Sequence, residues 1–116
     1  MVDAALLTKL QVKRERCLAV LHAPAGFDPG ATVPPTEADV VLLFTPTRAA
    51  LTAVLGGLAV KQGAILWVAY PKLTSRLAGD LHRDIIAALV PEYGYEVVAA
   101  IAIDADWSGL RLKPVA

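Results

Sequence analysis

The sequence predicts a three-layer α/β domain built on a mostly parallel sheet that ends in an antiparallel β-hairpin. Three observations carry this. Short apolar runs at 16–21, 40–44 and 64–70 suit strands of a sheet covered on both faces. The segments after the second and third runs contain stretches with helical composition, as parallel crossovers require. The last two runs, 95–103 and 107–113, are parted only by Asp104-Ala105-Asp106, which is too short for a crossover and makes a hairpin.

Residues 3–10, "DAALLTKL", predict a short opening helix with Asp3 as its N-cap. The first strand runs into residues 24–38, where Asp28-Pro29-Gly30 and Pro34-Pro35 predict a loop in place of a first crossover helix. A short strand around Ala31–Val33 would fit inside it. After "VVLLF" at 40–44, Thr45 or Thr47 caps a helix through about Val60. That helix is apolar around most of its circumference, so it is expected to be sandwiched or to form a subunit contact. Gly56-Gly57 costs it about 1 kcal/mol per glycine relative to alanine, and close packing against another element is the expected reason. Gly63 ends the next turn, Pro71–Gly79 is a loop, and Asp80 is placed as N-cap of a helix through about Val90.

Length and composition bound the function. A chain of 116 residues has room for a single domain, 1–116, with one core. Its hydrophobic fraction of 56% and mean hydropathy of +0.54 are high for that size. Part of the apolar surface is therefore expected to be covered by another copy of the chain, most simply as a dimer, or by a protein partner. Lys and Arg number 11, as do Asp and Glu, so the chain lacks the basic excess of a nucleic-acid binder. The lone Cys17 excludes an internal disulfide and a cysteine zinc cage, and its apolar run predicts a buried, reduced thiol. His22 and His82 have no metal-ligand spacing, so no metal is expected. Residues 1–20 are studded with charge, unlike a signal peptide, and the run 64–70 is far below the roughly 20 residues of a spanning helix. A cytoplasmic protein without membrane contact is the expectation.

The element order, with its closing hairpin, resembles the Rossmann-like fold of S-adenosylmethionine-dependent methyltransferases with the first half reduced. Three phrases narrow this: "ILWVAYPKLTS" (65–75), "GDLHRDII" (79–86) and "IDADWSGLRLK" (103–113). With "KLQVK" (9–13) and "LHAPAGF" (21–27), they resemble a bacterial family known as domain of unknown function 3052. The resemblance implies a methyltransferase-like fold with no established activity. It also implies that strand 107–113 lies between strands 64–70 and 95–103. The departures bear on chemistry. Methyltransferases grip the cofactor with Gly-x-Gly-x-Gly after strand one, where this chain has His22-Ala23-Pro24-Ala25-Gly26. An acidic residue ending strand two should hold the ribose, and here Glu37 and Asp39 have no clear strand before them. No cofactor is therefore expected, and methyl transfer is disfavoured.

Ligands of open α/β sheets gather at the carboxyl ends of the strands, where His22, Thr45 and Tyr70 through Ser75 should emerge. Lys72, braced by Tyr70-Pro71, could meet an anion there, although a solvated loop lysine is the simpler reading. Asp80, Arg83 and Asp84 form a second cluster, read structurally through an i,i+3 ion pair from Arg83 to Asp80 and functionally as an anion clamp of Arg83 with Lys72 across the crevice. Trp107 is expected to pack over the sheet end. Ser108 has no histidine placed to act as its base and lacks a Gly-x-Ser-x-Gly elbow. His82 is expected to be solvated near the start of its helix.

Two functional expectations follow. The first is a non-catalytic module acting through protein contacts or self-association. The alternative is a binder or enzyme for an anionic ligand or nucleotide, with His22, Lys72, Ser75, Asp80, Arg83, Trp107 and Ser108 as its candidate ligand-binding residues.

Overall fold

In the computed structural model, which describes residues 4–12, 16–28, 30 and 32–115, the apolar runs become neighbouring strands. The chain order is α1 (Ala4–Lys9), β1 (Leu18–Leu21), β2 (Val40–Phe44), α2 (Arg48–Gly57), β3 (Ile65–Pro71), α3 (Arg83–Leu89), β4 (Tyr95–Ala102) and β5 (Trp107–Pro114). The five strands form a mixed sheet in the order β1-β2-β3-β5-β4. The first three pair in parallel, and β5 runs antiparallel to both β3 and β4. Strand β5 thus lies between β3 and β4, as the resemblance implied.

Side chains alternate between the two faces of the sheet. Val41, Leu43, Leu66, Val68, Leu110 and Leu112 point to one face, where Leu51 and Leu55 of α2 and Ile86 and Leu89 of α3 cover them. Val40, Leu42, Phe44 and Trp67 point to the other, against Leu6, Leu10 and Phe27. The fold is α/β, a five-stranded mixed sheet with few helices. Asp3, the expected cap of α1, lies outside the described residues.

Several expectations are corrected. Cys17 is exposed, because the regular strand begins only at Leu18. Residues 32 and 33 form no strand and Ala31 lies outside the described residues; the Val33 N–H instead donates to the Leu18 carbonyl at 2.9 Å. Helix α2 ends at Gly57, short of Val60, and Leu58 is already extended. It is not sandwiched within the chain, since only Leu51 and Leu55 are buried. Gly56 and Gly57 have no neighbouring atom within 4 Å of a Cβ position, so close packing does not explain them.

The helix caps are also redistributed. Thr47 is the N-cap of α2, its Oγ1 accepting from the Ala50 N–H at 3.1 Å. Thr45 is buried instead, donating from Oγ1 to the Ala69 carbonyl at 3.0 Å. Asp80 does not cap α3. Its Oδ1 accepts from the Arg48 N–H at 2.8 Å, so it caps α2, a helix that precedes β3 in the chain. Leu81 then enters the core, fully buried, and α3 starts only after it, with His82 as N-cap. His82 is half-buried, and its Nδ1 accepts from the Asp84 N–H at 3.3 Å. The expected Arg83–Asp80 ion pair is absent among the described residues, because that carboxylate serves another helix.

Asp39 ties the sheet's beginning together. Its Oδ2 accepts from the Cys17 N–H at 2.8 Å, and its Oδ1 lies 2.6 Å from Lys61 Nζ. The hydrogen bond from Lys61, and then that from Cys17, hold its carboxyl below the ordinary value of 3.8. A carboxylate with a lowered folded pKa contributes stability above its unfolded pKa and loses it as pH falls through the folded value. Asp39→Asn is therefore expected to flatten the loss of stability below about pH 3.8. Urea midpoints measured across the acid range check this, and an unchanged acid limb would count against it. Both groups touch water, so salt should shrink the effect.

Candidate functional site

The carboxyl ends of β1, β3 and β4 converge with the start of β5 on a recess of about 380 Å³. Its apolar wall includes Leu6, Phe27, Leu77 and Trp107, and its polar lining is Asp28, Asp104 and Asp106. Phe27 packs edge-on to Phe44 at 4.8 Å, and Phe44 edge-on to Trp107 at 5.0 Å. The proline-containing loop after β1 folds back through the Phe27 N–H, which donates to the Pro24 carbonyl, with Gly26 at φ +86°. That positive φ suits glycine alone among the residues of the loop.

The hairpin turn is braced by its own carboxylates. Asp104 Oδ1 accepts from the N–H groups of Asp106 and Trp107 at 2.8 and 2.9 Å. Asp106 Oδ1 accepts from Ser75 Oγ at 2.8 Å, and its carbonyl accepts from the Lys72 N–H at 2.8 Å. Ser75 Oγ accepts in turn from the Leu77 N–H at 3.0 Å. These bonds clasp the loop after β3 to the β4–β5 hairpin. The phrases "PKLTS" and "DADWSG" are therefore two halves of one tertiary contact.

The structure brings Lys72, Ser75, Trp107 and Ser108 to this end of the sheet. Pro71 stands opposite Trp107 and Tyr70 opposite Ser108 in the β3–β5 register. Adjacent strand residues face opposite ways, so Trp107 and Ser108 do not share a face. Trp107 is buried and Ser108 half-buried. Lys72 is half-buried and does not line the recess. Arg83 is exposed at the first turn of α3, while Asp80 is spent on α2. His22 is separate from all of these, beside a second recess of about 420 Å³ with Phe44, Pro46 and Val54.

His22 nevertheless carries a conformational signature. It has φ +59°, the left-handed region that a glycine after the first strand would fill without strain. Exposed as it is, His22→Gly is expected to stabilise the chain by up to about 1 kcal/mol by relieving that backbone. Urea denaturation tests this, and a destabilised variant would mean that the imidazole itself holds the turn.

Sequence reasoning missed the recess carboxylates. Asp104 and Asp106 were legible only as turn residues and Asp28 only as part of a breaker, because nothing local says that 28 and 106 line one recess. Among the described residues no group of three or more His, Cys, Asp or Glu side chains is arranged to hold a metal ion. No helix of the described residues is long and apolar enough to cross a membrane. No protein-family model matches the chain, and no curated protein matches it.

Proposed function

We propose that the protein is a non-catalytic, methyltransferase-like module that acts through protein contacts, self-association first among them. The carrying observation is β4, an eight-residue strand at the end of the sheet with one neighbour only. Val98, Ala99, Ala100 and Ala102 are exposed, and Glu96 is its sole charge. A long apolar edge strand presents unpaired backbone donors and acceptors to any partner strand. Antiparallel pairing with a second copy centred on Ala100 sets Ala100 against its own counterpart and Ala99 against Ile101, with no like charges opposed. The bulge between Val97 and Ala99 confines such pairing to the segment after it. The contact proposed is on β4 rather than on helix α2, whose exposed residues after Arg48 are Ala49, Ala53, Gly56 and Gly57.

The test is mass by light scattering at low micromolar concentration. A dimer, twice the 12.2 kDa chain, that Ala100→Lys converts to monomer supports the proposal. A monomeric wild type that retains no partner from lysate overturns it.

The relation to domain of unknown function family 3052 and to the methyltransferase fold is part of the same proposal. It is supported by the quoted phrases and by the strand order. The alternative, small-molecule binding, is favoured by the aromatic-walled recess at the carboxyl edge. Its carboxylate lining opposes the anionic ligand expected from Lys72 and Arg83. A thermal-shift screen against S-adenosylmethionine, nucleotides, organic anions and organic cations separates the readings. A ligand at 100 times its Kd should add about 2.7 kcal/mol, and no shift with any compound counts against this alternative.

A further inference from the structure

At the opposite end of the sheet, where β3 begins and β5 ends, lies a groove of about 650 Å³. We propose that it binds an amphiphilic anion, in the form of a free medium-chain alkyl carboxylate.

The groove has an apolar floor that includes Val60, Ile65, Leu66, Tyr95, Val98 and Ala99. Val98 and Ala99 both line it although they are adjacent in sequence. The register of β4 shifts at this point, between Val97 and Ala99. Val98 is 47% exposed. The charged residues of the lining are Lys61, Arg111 and Lys113, with no carboxylate among them.

On a chain of zero net charge this is a segregation, since the carboxyl-edge recess has three aspartates and no cation. Lys61 is neutralised by Asp39 at 2.6 Å. Arg111 and Lys113 have no ion-pair partner among the described residues. Glu96 faces Lys113 in the β4–β5 register without lining the groove. Arg111 and Lys113, neither in an ion-pair contact among the described residues, complement with this apolar floor one carboxylate head and one alkyl tail. The volume is that of a small-molecule site, whereas a folded protein or extended peptide needs a broader surface. The inference goes beyond self-association and does not depend on it.

The experiment titrates the full-length, isotope-labelled chain with dodecanoate below its micellar concentration. Dodecyltrimethylammonium, dodecanol and acetate serve as the other arms. Dodecanoate is expected to shift the amide resonances of Ile65, Val98 and Ala99 saturably, while acetate and the cationic amphiphile do not. The double variant Arg111→Gln, Lys113→Gln should bind dodecanoate roughly tenfold more weakly, with its resonance dispersion confirming the fold. Val98→Asp, at an exposed position, should abolish binding by placing a carboxylate on the floor. Equal binding of cationic and anionic amphiphiles would overturn the proposal, as would shifts confined to Phe27 and Trp107. Preference for anionic vesicles or for an acidic peptide over dodecanoate would overturn it too. Light scattering on the same samples reads self-association separately, so failure of one proposal is distinguishable from failure of the other.

Discussion

Trp67→Ala is expected to lower the unfolding free energy by about 3–5 kcal/mol, a large share of the roughly 5–15 kcal/mol that holds a domain folded. Trp67 is 2% exposed at the middle of β3, where its indole fills the face of the sheet beneath α1. Its Nε1–H donates to the Leu10 carbonyl at 2.9 Å. Helix α1 has six residues, too few to be stable alone. Its docking depends on Leu6, Leu10 and this hydrogen bond. Trp67→Phe separates the two contributions. It keeps much of the ring but leaves a buried carbonyl without its donor, at a cost of about 1–3 kcal/mol. Urea unfolding gives the free energies, and amide exchange of Leu10 reports whether α1 has loosened. A Phe variant as stable as the wild type would show that apolar contact alone docks the helix.

Trp107→Ala is expected to cost a similar amount, about 3–5 kcal/mol, whereas Ser108→Ala should stay within about 0.5 kcal/mol. The two residues are neighbours on β5 with opposite surroundings. Trp107 is 6% exposed and ends the Phe27–Phe44–Trp107 series of edge-on rings. Such pairs add about 0.5–1.5 kcal/mol beyond their buried area. Its loss should open the carboxyl-edge recess and leave Phe44 without its edge-on partner on that side. Ser108 has no side-chain hydrogen bond among the described residues, and solvent reaches it. Denaturation midpoints of the pair decide the matter. A costly Ser108→Ala would reveal a role that packing does not explain.

Much of the fold was legible in local sequence. Val40–Phe44 reads as a doubly covered strand because all its residues are apolar, and all are buried. Asp104-Ala105-Asp106 reads as a hairpin because no crossover fits in it. The failures share a cause. Asp80 precedes a helix and has the right chemistry for its cap, but the Arg48 N–H lies closer in space than anything local sequence reveals. Cys17 abuts an apolar strand yet sits outside its paired region, where water reaches it. Ser75 reads as a ligand residue until Asp106 is beside it, and the hydroxyl then has a structural duty.

By itself the sequence determined which segments are strands, which are helices and how the chain ends. Those properties follow from the spacing of apolar residues and from turn chemistry within a few neighbours. Only the tertiary structure decided what the polar side chains do. A carboxylate near a helix, a serine in a loop or a lysine on a strand bonds whatever the packed sheet brings within about 3 Å. That packing set three aspartates at one end of the strands and two unpaired cations at the other. Their separation along the chain conceals it, because bringing residues 28 and 106 to one recess, or 65 and 111 to one groove, is a property of the tertiary fold.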